Sequence, residues 1–114
     1  MKKYNINFED KMKIVCGLAT GSPIRINSLL NKKGVKDDLH YHPKGHEFYI
    51  ILTGKLVIEI NGENVTANNG DVIQVYPGEI HRVIEVLEDS NTIIIRQEFN
   101  EDDKVVLKKE SNYL

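Results

Sequence analysis

The apolar residues of this chain fall in short alternating or near-continuous runs, each cut off by glycine, proline, asparagine or aspartate. Ile24–Leu30 follows Gly21-Ser22-Pro23, and Glu47–Leu52 stops at Thr53-Gly54. Leu56–Ile60 runs into Asn61-Gly62 and returns as Asn64–Ala67. Asn-Gly is the pair that a two-residue type I′ hairpin favours, because both central residues need φ > 0. Val72–Tyr76 lies between Asn68-Asn69-Gly70-Asp71 and Pro77-Gly78, His81–Leu87 and Thr92–Phe99 flank Glu88–Asn91, and Lys104–Leu107 adds a last strand. No stretch sustains a 3.6-residue period, so a short helix is expected only within Asn7–Leu18. Eight or nine short, evenly spaced strands predict a nearly all-β sandwich or barrel.

Alternation along Glu47–Leu52 puts Glu47, Tyr49 and Ile51 on one face and Phe48, Ile50 and Leu52 on the other. Apart from Glu47 both faces are apolar, so both call for cover. A second copy of the chain would cover one of them, making a homodimer. A strand enclosed by a second sheet and a surface loop satisfies the pattern equally well.

Composition narrows the setting. At 114 residues the chain is one domain with a modest core, a size that gains from oligomerisation. A net charge of −2 with both signs mixed gives no electrostatic reason to expect nucleic acid or an anionic membrane as a partner. No apolar run approaches the roughly 20 residues of a membrane span, and Lys2-Lys3-Tyr4-Asn5 leads into no signal-peptide core. Cys16 stands alone, which fits a reducing interior. A soluble cytoplasmic protein is the expectation.

The chemistry gathers in His40-Tyr41-His42-Pro43-Lys44-Gly45-His46-Glu47, which holds three of the four histidines. His40 and His42 are two apart, so on an extended segment both rings leave the same face. Pro43-Lys44-Gly45 can fold Glu47 back toward them, and His81 follows the Pro77-Gly78 bend. Three imidazoles and a carboxylate are the mixed set that suits Fe, Mn, Ni, Cu or Zn. With no cysteine among them, a catalytic ion is expected rather than a closed structural zinc. An H-x-H pair by itself is most often a polar strand end, so the decision rests on the residues around it.

Those residues carry a family resemblance. Gly34, His40, His42, Glu47 and Gly54 match G-x5-H-x-H-x3/4-E-x6-G at every fixed position, and Gly70, Gly78 and His81 match G-x5-P-x-G-x2-H-x3-N. The second motif departs at Tyr76, where proline is expected, and at Glu85, where asparagine is expected; neither position is a metal ligand. The chain thus resembles the cupin superfamily over about Gly34 to Glu85. The resemblance implies one cupin domain over residues 1–114, a double-stranded β-helix or jelly-roll barrel over about 22–108, with 1–21 as an arm of strand or short helix. It implies His40, His42, Glu47 and His81 as ligands of a divalent transition metal.

Function follows from that centre only in outline. An ion with open positions can chelate a hydroxy-ketone, keto acid or enediol, so two enzymatic readings stand: dioxygenase-like oxidation, or isomerisation of a sugar or keto acid. A cupin that binds a small molecule or metal without turnover is the alternative, since fold does not fix function. Glu47, Tyr49 and Glu85 are the candidate catalytic residues: Glu47 as a base that can leave the metal, Tyr49 on the same strand face, and Glu85 on the face of His81 if it points inward rather than to solvent. One of Arg25 and Arg96, each set in an apolar strand, is expected to line the cavity. His46 is expected to point away from the centre, and Cys16 to be a buried small residue. The run Asn100-Glu101-Asp102-Asp103 reads as a solvated turn.

Overall fold

In the computed structural model, which describes residues 1–108, the predicted runs become strands of two five-stranded antiparallel sheets. In chain order the strands are β1 Lys13–Cys16, β2 Ile24–Asn31, β3 Leu39–Tyr41, β4 Glu47–Ile51, β5 Lys55–Ile60, β6 Glu63–Asn68, β7 Val72–Val75, β8 His81–Glu88, β9 Ser90–Gln97 and β10 Val105–Lys108. One sheet runs β1-β2-β9-β4-β7 and the other β10-β3-β8-β5-β6. Consecutive strands therefore alternate between sheets through most of the chain, as in a double-stranded β-helix. No α-helix occurs among the described residues; a short 3₁₀ turn spans Leu18–Thr20.

The helix expected within Asn7–Leu18 is absent. Ile14 and Val15 are β-branched and stiff at χ1, and β1 pairs instead with the edge of β2, Lys13 opposite Ser28 and Ile14 opposite Asn27. The Asn61-Gly62 turn has φ of 49° and 83°, both positive as a type I′ hairpin requires. Gly54 has no substitute at its bend. Its φ is +91°, and a Cβ there would lie 2.2 Å from the Asp89 carbonyl oxygen.

The sheets face each other across Tyr49, Ile51, Leu56, Ile58, Ala67, Val75, Val83, Val86 and Ile94. Each large aliphatic side chain buried here contributes on the order of 1.5–3 kcal/mol relative to exposure. This apolar floor fills the middle of the barrel. One end is closed by a buried hydroxyl and amide chain, with Asn31 Nδ2 donating to Thr92 Oγ1 (3.1 Å) and Ser90 Oγ 2.9 Å from Thr92 Oγ1. The histidines lie at the other end.

The two faces of β4 differ. Glu47, Tyr49 and Ile51 are buried, whereas Phe48 and Ile50 are half-buried and Leu52 is exposed. Phe48 stands in a cross-strand row with Ile95 and Ile26, and Ile50 in a row with Ile93 and Val72. The outer face of the first sheet therefore carries two apolar rows, bounded by Gln74 and Ser28.

Candidate metal centre

Strand register brings the four sequence-predicted ligands together. His40 lies on β3 directly opposite His81, the first residue of β8. His42 follows β3 by one residue, and Glu47 opens β4 in the facing sheet. All four are buried, and each offers a ligand atom within 4.8 Å of the others. The rings of His40 and His81 are 4.3 Å apart between centroids, and those of His42 and His81 5.6 Å.

The orientation of each ring is set by the backbone. His40 Nδ1 lies 2.6 Å from the Asp38 carbonyl, His42 Nδ1 2.7 Å from that of Asp103, and His81 Nδ1 2.8 Å from that of Glu79. A carbonyl oxygen only accepts, so each Nδ1 carries the hydrogen and Nε2 is the nitrogen left for the centre. This outer hydrogen bond is the usual support of a metal-ligating histidine, fixing tautomer and ring angle together.

The donor set fits a cation. His42 Nε2 is buried with no hydrogen-bond partner, although Glu47 Oε2 is 3.4 Å away. Two lone pairs then face each other in a dry site, an arrangement that a positive ion relieves. His81 Nε2 meets Glu47 Oε1 at 2.8 Å through a shared proton, and a divalent ion competes with that proton for the same two atoms.

The electrostatics agree. Burial keeps His40 from charging, and with the nearby His81 it lowers the His40 pKa to about 4, so the ring is neutral near pH 7. Burial works against a charged His81 as well, but the Glu47 carboxylate and the Glu79 carbonyl outweigh it and raise its pKa. For Glu47 burial pushes upward, and the adjoining His42 and His81 rings hold it well below the usual carboxylate range. Glu47 is thus an ionised acceptor in an enclosed place.

Tyr49 lies beneath Glu47 on the same face, its ring centroid 6.1 Å from that of His81. Burial, then the charges of Glu47 and Asp37, raise the phenol far above its ordinary pKa, so it stays protonated. His46 faces away, with Gln74 Nε2 3.3 Å from its Nδ1 and the Tyr76 ring 5.1 Å from its own. Cys16 is half-buried on β1 rather than buried, and stands apart from the cluster.

Glu85 does not enter the site. Val57 pairs with Glu85 but the next residue, Ile58, pairs with Val83, so Ile84 is an extra residue on β8. This β-bulge reverses the alternation: His81 and Val83 point inward, while Glu85 is exposed and Val86 takes the inward place. Glu85 instead borders a shallow depression on the outer face of the sheet with Val57, Thr66 and Gly34.

Both arginines lie on the inward face. Arg25 is opposite Arg96, Arg96 opposite Glu47 and Glu47 opposite Val75, a single row across β2, β9, β4 and β7. Arg25 is tied off by Glu98, Nε to Oε2 at 2.9 Å.

Asp103 is the residue that sequence reasoning missed. The acidic run does not end as a solvated turn: Asp103 is only 7% exposed, and its carboxylate accepts from the backbone N–H of Lys44 and Gly45, both at 2.9 Å. Its carbonyl holds His42. Gly45 leaves room for this approach, since a Cβ there would lie 3.0 Å from Asp103 Oδ2 and 3.1 Å from the Gln97 carbonyl. No local pattern marks Asp103, because its partners are on the far side of the chain. Asp37 was missed too; its Oδ2 is 3.9 Å from His40 Nδ1, behind the ring.

A buried three-histidine, one-glutamate centre at the mouth of two facing sheets agrees with the family comparison, in which the cupin domain matches residues 29–95. The chain belongs to the cupin family. A cupin from Bacteroides fragilis is similar over 100% of both chains, with a TM-score of 0.72 and 19% identity. A protein with a double-stranded β-helix domain from Klebsiella pneumoniae superposes with a TM-score of 0.74 and 18% identity, covering 92% of this cupin and 90% of that chain. An oxidoreductase of Arthrobotrys oligospora is 33% identical over 55 residues, 47% of this cupin and 22% of the relative. This cupin spans less than a third of the length of the curated relatives it matches. No helix among the described residues is long and apolar enough to cross a membrane.

Proposed function

We propose that this cupin holds a divalent transition ion (Fe, Mn, Ni, Zn or Cu) on His40, His42, Glu47 and His81, and transforms a small oxygenated metabolite there. The observation that carries this reading is the commitment of all three Nδ1 atoms to backbone carbonyls, which aims the three Nε2 atoms at one ionised carboxylate. When bound, such an ion supplies a Lewis acid able to take two oxygens of a hydroxy-ketone, keto acid or enediol.

The chain's own groups do the rest. Asp38, Glu79 and Asp103 fix the rings through their carbonyls. Tyr49 stays protonated, packs on the same strand face as Glu47 and is a positioning residue rather than a base. Glu47 is the group able to accept a proton from a bound ligand, being ionised and within reach of the centre. Val75 beside it, and the apolar floor below, keep water from that proton.

Dioxygenase-like oxidation and sugar or keto-acid isomerisation are the two chemistries open to such a centre. The oxidoreductase name of the Arthrobotrys relative favours oxidation. Metal-loaded protein screened against chelating keto and hydroxy compounds distinguishes them. Oxygen uptake on adding a compound marks oxidation, and a product of unchanged mass without oxygen uptake marks isomerisation. If no such compound perturbs the spectrum of the cobalt-loaded protein, the enzymatic reading fails and a non-catalytic binder is the better account.

A further inference from the structure

Arg25 and Arg96 stand directly opposite each other on the inward face, a like-charge pair that costs stability unless each is neutralised. Glu98 neutralises Arg25. Arg96 has no ion pair with any carboxylate among the described residues, and its Nε is buried without a hydrogen-bond partner. Its Nη1 lies 3.0 Å from His42 Nδ1. That nitrogen's one hydrogen already goes to the Asp103 carbonyl, so it offers no lone pair, and the contact sets donor against donor. A guanidinium cannot shed its charge to relieve this. Arg96 is therefore a cation beside the centre with unmet donors, while Asn27, one step deeper on the same face, has a buried carbonyl oxygen without a partner.

We infer that Arg96 is the anion-recognition residue of the site, and that the ligand of this cupin is a small carboxylate. The inference rests on the metal-centre reading and specifies its substrate class. The guanidinium fork matches a carboxylate in two parallel hydrogen bonds, and one unpaired cation matches one carboxylate charge. A neutral sugar or diol would leave Arg96 unpaired after desolvating it further, an outcome that costs affinity. Neighbouring Arg25 does not share the role, since its charge is paired with Glu98, Nε 2.9 Å from Oε2. Arg96 is thus a specificity residue directly opposite Glu47 on the neighbouring strand and on the same inward face.

The test compares two probes on cobalt-loaded protein, with cobalt content measured for every variant. Oxalate offers two oxygens to the metal and two further carboxylate oxygens beyond them; acetohydroxamate chelates through two oxygens and ends in a methyl group. Arg96→Gln should retain its cobalt, lose about tenfold or more in oxalate affinity and keep acetohydroxamate affinity within about twofold. Arg96→Lys, which keeps the charge and loses the fork, should fall between. In chelator-treated protein Arg96→Met should melt at or above the wild-type temperature, because it removes an unpaired charge. Unchanged oxalate affinity in Arg96→Gln would overturn the inference. So would loss of cobalt with a lowered melting temperature, which would make Arg96 a support for His42. A wild type that takes no cobalt defeats the metal reading separately. Arg96 is then judged by calorimetry on the cobalt-free protein: oxalate binding abolished by Arg96→Gln supports the inference, and no binding by the wild type overturns it.

Discussion

His42 Nδ1 donates to the carbonyl of Asp103 across 2.7 Å, joining residues 61 positions apart in the chain. The same Asp103 caps two amides of the loop between His42 and Glu47, so one residue fixes both the ring and the approach to the carboxylate.

Asp103→Ala should leave the Lys44 and Gly45 amides without an acceptor. The expected loss is about 1–3 kcal/mol of unfolding free energy, read from urea denaturation. Alanine keeps the backbone carbonyl that holds His42, so metal affinity should fall only through the loosened loop, by less than the roughly 10- to 100-fold lost when an outer support is itself removed. Wild-type affinity in Asp103→Ala would show that the loop holds itself.

Glu85→Gln should change neither metal content nor ligand affinity, because the bulge at Ile84 turns Glu85 to the outer face. Metal analysis and ligand titration of that single variant decide the point. A selective loss of ligand binding would mean that the outer face communicates with the centre.

These two residues mark where sequence reading reaches its limit. The strands are legible because alternation and turn residues are local signals, and the four residues of the candidate centre because the motif spacing ties each to a glycine bend. Gly34, Gly54, Gly70 and Gly78 all have φ between 83° and 91°, in keeping with that framework. Glu85 is misplaced by counting in twos from His81, since a single extra residue inverts every side chain beyond it. Asp103 and the Arg25–Arg96–Glu47 row depend on strands distant in sequence, and register between such strands leaves no local trace. β1 is too short to show a period.

The apolar rows Ile26–Ile95–Phe48 and Ile93–Ile50–Val72 cover much of one outer sheet face, which leads us to expect a homodimer. Light scattering should give twice the chain mass at micromolar concentration. Phe48→Lys should shift that mass to the monomer while leaving metal content intact, because Phe48 points away from Glu47. A monomeric wild type would contradict the expectation.

Metal content per chain tests the central claim most directly. Protein purified without a chelating tag should carry close to one divalent transition ion per chain by elemental analysis. His46→Ala should keep it, Glu47→Ala should weaken it, and the His40→Ala/His42→Ala double variant should lose it. Stoichiometric metal retained by the double variant, with its fold intact by circular dichroism, would contradict the account.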